Sequence, residues 1–186
     1  MKTEPIEPDV RLRRAAAGEE SAFEAVVREH QAMVYSIAWH YLHDRASAEE
    51  LAQEVFLHLH RNIESIESPA HLLHWLRRVA CHRAIDQSRR LKFRPRAGLD
   101  SAPEPVSIAH YRDPMLKRLL ERLLGTLPER SRMIVVLRYQ EDMEPTEIAG
   151  VLEMPVGTVK SSLHRALAVL RGRFERAERA PKGVSK

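Results

Sequence analysis

The apolar residues of this chain recur every three or four positions and never alternate one by one, so helices are the only regular structure the pattern can bury. Phe23, Val26, Val27, His30, Val34, Ile37, Ala38 and Tyr41 share one helical face, Ala48, Leu51, Ala52, Val55 and Leu59 a second, and Leu72, Leu73, Leu76, Val79, Ala80 and Ile85 a third. Pro69 suits a first helical turn, where its missing N–H costs nothing, and Ser68 before it can cap. With a short helix over 8–17, these segments predict a bundle over residues 1–90. Residues 91–113 break the pattern with Pro95, Gly98, Pro103 and Pro105 and read as a flexible linker. Periodicity returns at 115–124, with Leu116, Leu119, Leu120, Leu123 and Leu124 inward; Pro128 opens a helix over 128–139, and two more follow. The expected fold is all-α, with two small helical domains at 1–90 and 114–177 and a basic tail at 178–186. A chain of 186 residues is long enough for two such cores.

Charge is distributed unevenly along this frame. Residues 77–96 carry eight cations and one acid, a net +7, and residues 155–186 carry eight cations and two acids, a net +6. The whole chain is only +4, so the remainder is acidic at −9. One basic patch is compatible with ordinary solvated helix surface. Two, in two modules, point to one polyanion held at two places, each neutralised phosphate adding salt-sensitive affinity.

The second basic patch has an internal logic. After Pro145 a short helix carries Ile148, Ala149 and Leu152, a break falls at Glu153 and Met154, and Pro155 starts a longer helix with Val159, Leu163, Ala166, Leu167, Leu170 and Phe174 on one side. Small Ala149 permits a close helix crossing that Val159 and Leu163 can fill, which is how a helix-turn-helix is built. Glu153 stands at the turn where glycine is usual. The outer face of the longer helix presents Thr158, Lys160, Ser161, Ser162, His164 and Arg165, groups able to bond phosphates and reach base edges in a major groove.

Other chemistries find little support. Ten histidines include the helical pairs His40 with His43 and His71 with His74, and Glu54 with His58 is an i, i+4 pair, but no HExxH motif occurs and no metal or cofactor is expected. The single cysteine, Cys81, cannot form an intramolecular disulfide, suits a reducing compartment and reads as a small buried hydrophobe. No catalytic Ser/His/Asp motif or phosphate-binding glycine loop is present, so no enzymatic activity is expected. Residues 1–14 contain Glu4, Glu7 and Asp9 and do not read as a secretory signal, and no apolar run is long enough for a membrane span; a cytoplasmic protein without membrane insertion is expected.

The segment LPERSRMIVVLRYQEDMEPTEIAGVLEMPVGTVKSSLHRA resembles region 4 of the extracytoplasmic-function group of the sigma-70 family, the bacterial RNA polymerase initiation factors. AEELAQEVFLHLHR followed by HWLRRVACHRAIDQSRR is similar to region 2 of the same group in order and spacing. The resemblance covers residues 20–90 and 115–175 and includes no region 3 between them. It implies a factor that binds polymerase core, with contacts on the β′ coiled coil and the β flap, and that reads −10 and −35 promoter DNA.

Residue by residue, the resemblance implies polymerase docking by Glu49, Glu50, Leu51, Gln53, Glu54, Phe56 and Leu57; residues 41–68 sum to −4, which suits protein contact better than DNA. It implies −10 recognition by Trp75, Arg77, Arg78, His82, Arg83 and Asp86, with His71 in the preceding loop. Trp75 could equally be core packing at one end of the bundle. Thr158, Lys160, Ser161, Ser162, His164 and Arg165 match the −35 reading face, with Arg138 as an added phosphate contact. His82 replaces a frequent Asn and Ser162 a common Arg, so no promoter sequence follows. Members of this group are often held inactive by an anti-sigma factor. The competing reading is a free-standing helix-turn-helix regulator whose N-terminal bundle senses or dimerises; it predicts tight DNA binding by a dimer alone, whereas a sigma factor is a monomer that binds DNA weakly until polymerase holds both modules.

Overall fold

The computed structural model of the chain describes residues 10–93 and 114–179. These residues form α1 (Val10–Ala16), α2 (Glu20–Leu42), α3 (Arg45–Asn62), α4 (Pro69–Phe93), α5 (Pro114–Gly125), α6 (Glu129–Tyr139), α7 (Pro145–Val151) and α8 (Val156–Arg179), with one 3-10 turn at Ile63–Ser65. No strand occurs among the described residues, as the periodicity requires. The chain divides into two compact units, the first carrying α1–α4 together with Gly150–Glu153 and the second carrying α5, α6, α8 and the rest of α7. Helix α4 runs to Phe93, beyond the expected domain end at 90. The rest of the expected linker, 94–113, and most of the basic tail lie outside the described residues.

In the first unit α2 is the central element, packed by α1, α3 and α4. Val34, Ile37, Ala38 and Tyr41 are fully enclosed on it, and Ala48, Leu51, Val55 and Leu59 of α3 and Leu72, Leu76, Ala80 and Ala84 of α4 complete the core. A smaller cluster joins Ala15, Ala22 and Ile63, with Phe23 packed against it. The helix ends are closed locally. The Asp44 carboxylate accepts the Ser47 N–H at 2.8 Å to cap α3, and Ser68 Oγ accepts the His71 N–H at 3.1 Å ahead of α4, as its position before Pro69 predicts.

In the second unit α5 and α6 pack on α8. Leu127, Val135 and Ala166 form a buried cluster with Leu124, Leu163 and Leu170 against it, while Ile148 and Val159 are fully buried in the helix-turn-helix. Pro145 opens α7, and Glu147 Oε2 accepts the Glu144 N–H at 2.7 Å, half of a capping box. At the far end the Met154 N–H reaches the Ala149 carbonyl at 3.0 Å and the Glu153 N–H the Gly150 carbonyl at 3.4 Å. This is a Schellman closure, and Glu153 supplies its left-handed residue at φ 50° without the help of glycine.

A left-handed L-residue costs about 1–2 kcal/mol and glycine's extra chain entropy about 0.5–1 kcal/mol, so Glu153→Gly should stabilise the chain by about 0.5–1 kcal/mol in urea unfolding, and a loss of stability would contradict the closure. On α3, Leu51→Ala should cost about 2–5 kcal/mol, whereas Leu57→Ala should change stability by no more than about 0.5 kcal/mol. Equal costs would mean that the burial phase of α3 is wrong.

Candidate functional site

Buried positions on α4 run through Leu72, Leu76, Ala80, Cys81, Ala84 and Ile85 to Ser88, leaving Arg78 and Asp86 exposed and Trp75, His82 and Arg83 partly exposed beside them. They form one wall of an open groove of about 1110 Å³. The other wall comes from α3, through Ser47, Glu50, Glu54 and His58. The two walls are bridged by charge: Arg83 Nη1 donates to Glu54 Oε2 at 2.5 Å. They also meet through rings, the His58 imidazole standing edge-on to the Trp75 indole with centroids 5.2 Å apart. Trp75 is therefore half-buried and part of the groove, tethered at one edge and neither free nor enclosed.

Two residues expected beside these lie elsewhere. Arg77 sits about 200° around the helix from Trp75, at about 100° per residue, and is absent from the groove; it is half-buried with its Nε enclosed. His71 lies in the first turn of α4 and not in the loop before it, and its Nδ1 accepts the Glu67 N–H at 3.3 Å. It too is outside the groove lining.

The docking set expected on α3 separates by helical phase. Glu49, Glu50, Gln53, Glu54 and Leu57 are exposed, and Leu57 is 59% accessible, unusual for a large apolar side chain beside acids. Leu51 and Phe56 are corrections to the sequence reading: they are only 1% and 9% exposed and belong to the core behind this stripe. Their phase on α3 places them with Ala48, Val55 and Leu59, so neither offers a surface to a partner. Arg45 pairs with Glu49 at 2.8 Å along the stripe.

On α8 the expected segregation is clean. Thr158, Lys160, Ser161, His164 and Arg165 are exposed and Ser162 is half-exposed, while Val159 and Ala166 are buried on the other side. Ser161 Oγ donates to the Thr158 carbonyl at 3.1 Å. Arg138 behaves differently from the sequence expectation. Its Nη1 donates to the Met143 carbonyl and meets Glu144 Oε1, both at 3.3 Å, so the guanidinium braces the loop that enters α7.

Outside these surfaces, Cys81 is fully buried on the core side of α4. His40 Nδ1 lies 2.9 Å from the Ser36 carbonyl, and no cluster of three or more His, Cys, Asp or Glu suited to a metal occurs among the described residues. No helix among them is long and apolar enough to cross a membrane. Sequence reasoning missed His58 as a groove residue and the Arg83–Glu54 pair. The available signal was the opposite net charge of two consecutive helical segments.

Comparison with known proteins gives this geometry a family. Residues 26–94 match the model of sigma-70 region 2, and residues 117–170 match that of sigma-70 region 4. The chain is 34% identical over 156 residues to the RNA polymerase sigma-E factor of Streptomyces coelicolor, spanning 83% of this chain and 86% of that one. It is 27% identical over 180 residues to the ECF RNA polymerase sigma factor SigW of Bacillus subtilis, spanning 87% and 93% respectively. Among solved structures it shares its fold with CnrH in complex with the cytosolic domain of CnrY, at a TM-score of 0.67 and 22% identity over 90% of this chain and 96% of that one. It likewise matches the sigma factor RpoE in complex with the anti-sigma factor NepR from Bartonella quintana, at 0.66 and 18% over 82% and 96%. A free-standing regulator has no reason to carry region 2 ahead of region 4, and that alternative is not favoured. The chain belongs to the extracytoplasmic-function group of the sigma-70 family and is a sigma factor, a protein that binds RNA polymerase and directs it to promoters.

Proposed function

We propose that the two units divide promoter recognition as the charges suggest, with the α3–α4 unit at the −10 element and the α5–α8 unit at the −35 element. The observation that carries this is helical phase: core burial leaves one face each of α3, α4 and α8 exposed with distinct chemistry. The stripe of Glu49, Glu50, Gln53, Glu54 and Leu57 suits a protein partner, acids for attraction and Leu57 for burial, and is assigned to the β′ coiled coil of the polymerase. The α4 wall of Trp75, Arg78, His82 and Arg83 combines ring surface with cations, as holding an unstacked base and its backbone requires. Thr158, Lys160, Ser161, Ser162, His164 and Arg165 on α8 are assigned to the −35 major groove, and the same unit to the β flap.

The free chain is then a cytoplasmic monomer that binds promoter DNA weakly, because neither unit alone contributes enough phosphate contacts; polymerase raises the effective concentration of one site for the other. An anti-sigma factor is a natural inhibitor for these surfaces. Support comes from the solved relatives, one bound to the anti-sigma factor NepR and one to the cytosolic domain of CnrY.

Paired substitutions separate the assignments. Lys160→Glu with Arg165→Glu should leave polymerase binding intact and abolish −35-dependent transcription, and a loss of polymerase binding would contradict the α8 assignment. Gln53→Ala with Glu54→Arg should weaken holoenzyme assembly in a core-binding titration. Unchanged assembly would move the docking surface elsewhere.

A further inference from the structure

We propose that Glu54 is an internal stand-in for a DNA phosphate, holding Arg83 in the free chain and yielding it when polymerase occupies α3; this rests on the assignment of the α3 stripe to polymerase and of the α4 wall to DNA. The pair links the two walls of the groove across 29 residues of sequence, with Arg83 Nη1 at 2.5 Å from Glu54 Oε2. A carboxylate and a phosphate compete for the same guanidinium donors, so an Arg held by Glu54 has its charge cancelled toward DNA. While the pair is closed, Arg83 displaces no counterion from a nucleic acid strand and adds nothing to affinity.

The pair is also placed to open. The side chains are 36% and 51% exposed, and neither is buried deeply enough for the bond to be a structural requirement. Glu54 belongs at once to the groove wall and to the exposed acidic stripe, beside Glu50 and one turn before Leu57, so a cation of the partner arriving there competes directly with Arg83. The only other acid among the groove residues of α4, Asp86, lies 3.5 Å from Arg89. Docking on α3 and phosphate contact from α4 are thus coupled through one exchangeable bond. Glu54 is a positioning residue for DNA binding, acting through Arg83.

The test is a double-mutant cycle on the free full-length chain, with a short mixed-sequence single-stranded DNA as probe and affinity measured by fluorescence anisotropy over a range of salt. Glu54→Gln should tighten binding about two- to fivefold, the scale of an exposed ion pair, and steepen the salt dependence by about 0.7 in logarithmic slope. In an Arg83→Gln background the same change should give no such gain in affinity or slope. An equal gain in both backgrounds would mean that Glu54 acts only through bulk charge, and no gain in either would mean that Arg83 is not withheld; each overturns the proposal. Arg83→Gln in assembled holoenzyme tests the underlying assignment separately. Lost promoter opening there, with no coupling in the free chain, removes the clamp and leaves the −10 reading, whereas unimpaired opening removes both.

Discussion

Leu72, Leu76, Ala80 and Ala84 enter the bundle at four-residue intervals, and that row of contacts fixes everything α4 presents on its other side. Burying these positions, together with Cys81 and Ile85, leaves Arg78 and Asp86 exposed and Trp75, His82 and Arg83 partly exposed along the flank that faces α3. The same constraint on α3, through Leu51, Val55 and Leu59, turns Glu50, Glu54 and Leu57 outward. The two helices pack side by side, so the acidic face and the basic face become walls of one groove.

From the sequence, an acidic docking strip and a basic DNA helix look like separate surfaces with separate partners. In three dimensions they share an ion pair and a ring contact, which, on the proposed assignment, lets a partner on one wall alter the electrostatics of the other. In the second unit the exposed polar face of α8 is set by the burial of Val159 and Ala166, and the turn before it is held by a Schellman closure that accepts Glu153 at some energetic cost.

Much of this was legible in the chain because helical periodicity encodes burial phase directly. The all-α class, Ser68 ahead of α4, the turn at Glu153 and the α8 faces all follow from spacing and local chemistry. What spacing did not deliver has a physical cause in each case. Leu51 and Phe56 were grouped with their exposed neighbours by family resemblance, which marks a helix and not its phase. The resemblance likewise groups Arg77 with Trp75, although the two sit about 200° apart around the helix. Arg138 found a partner in the Met143 carbonyl, a backbone group that charge patterns ignore, and the Arg83–Glu54 bond joins residues whose proximity only tertiary packing creates.

On the proposed assignment, core burial sorts the exposed residues into a polymerase face and two DNA faces. Site-specific photocrosslinking tests it most directly, with the reactive group placed in turn at positions 57, 82 and 160 of the chain in holoenzyme on promoter DNA. Position 57 should crosslink to the polymerase alone, position 82 to DNA at the −10 element and position 160 to DNA at the −35 element. Crosslinking of position 57 to DNA, or of positions 82 and 160 to polymerase alone, would contradict it.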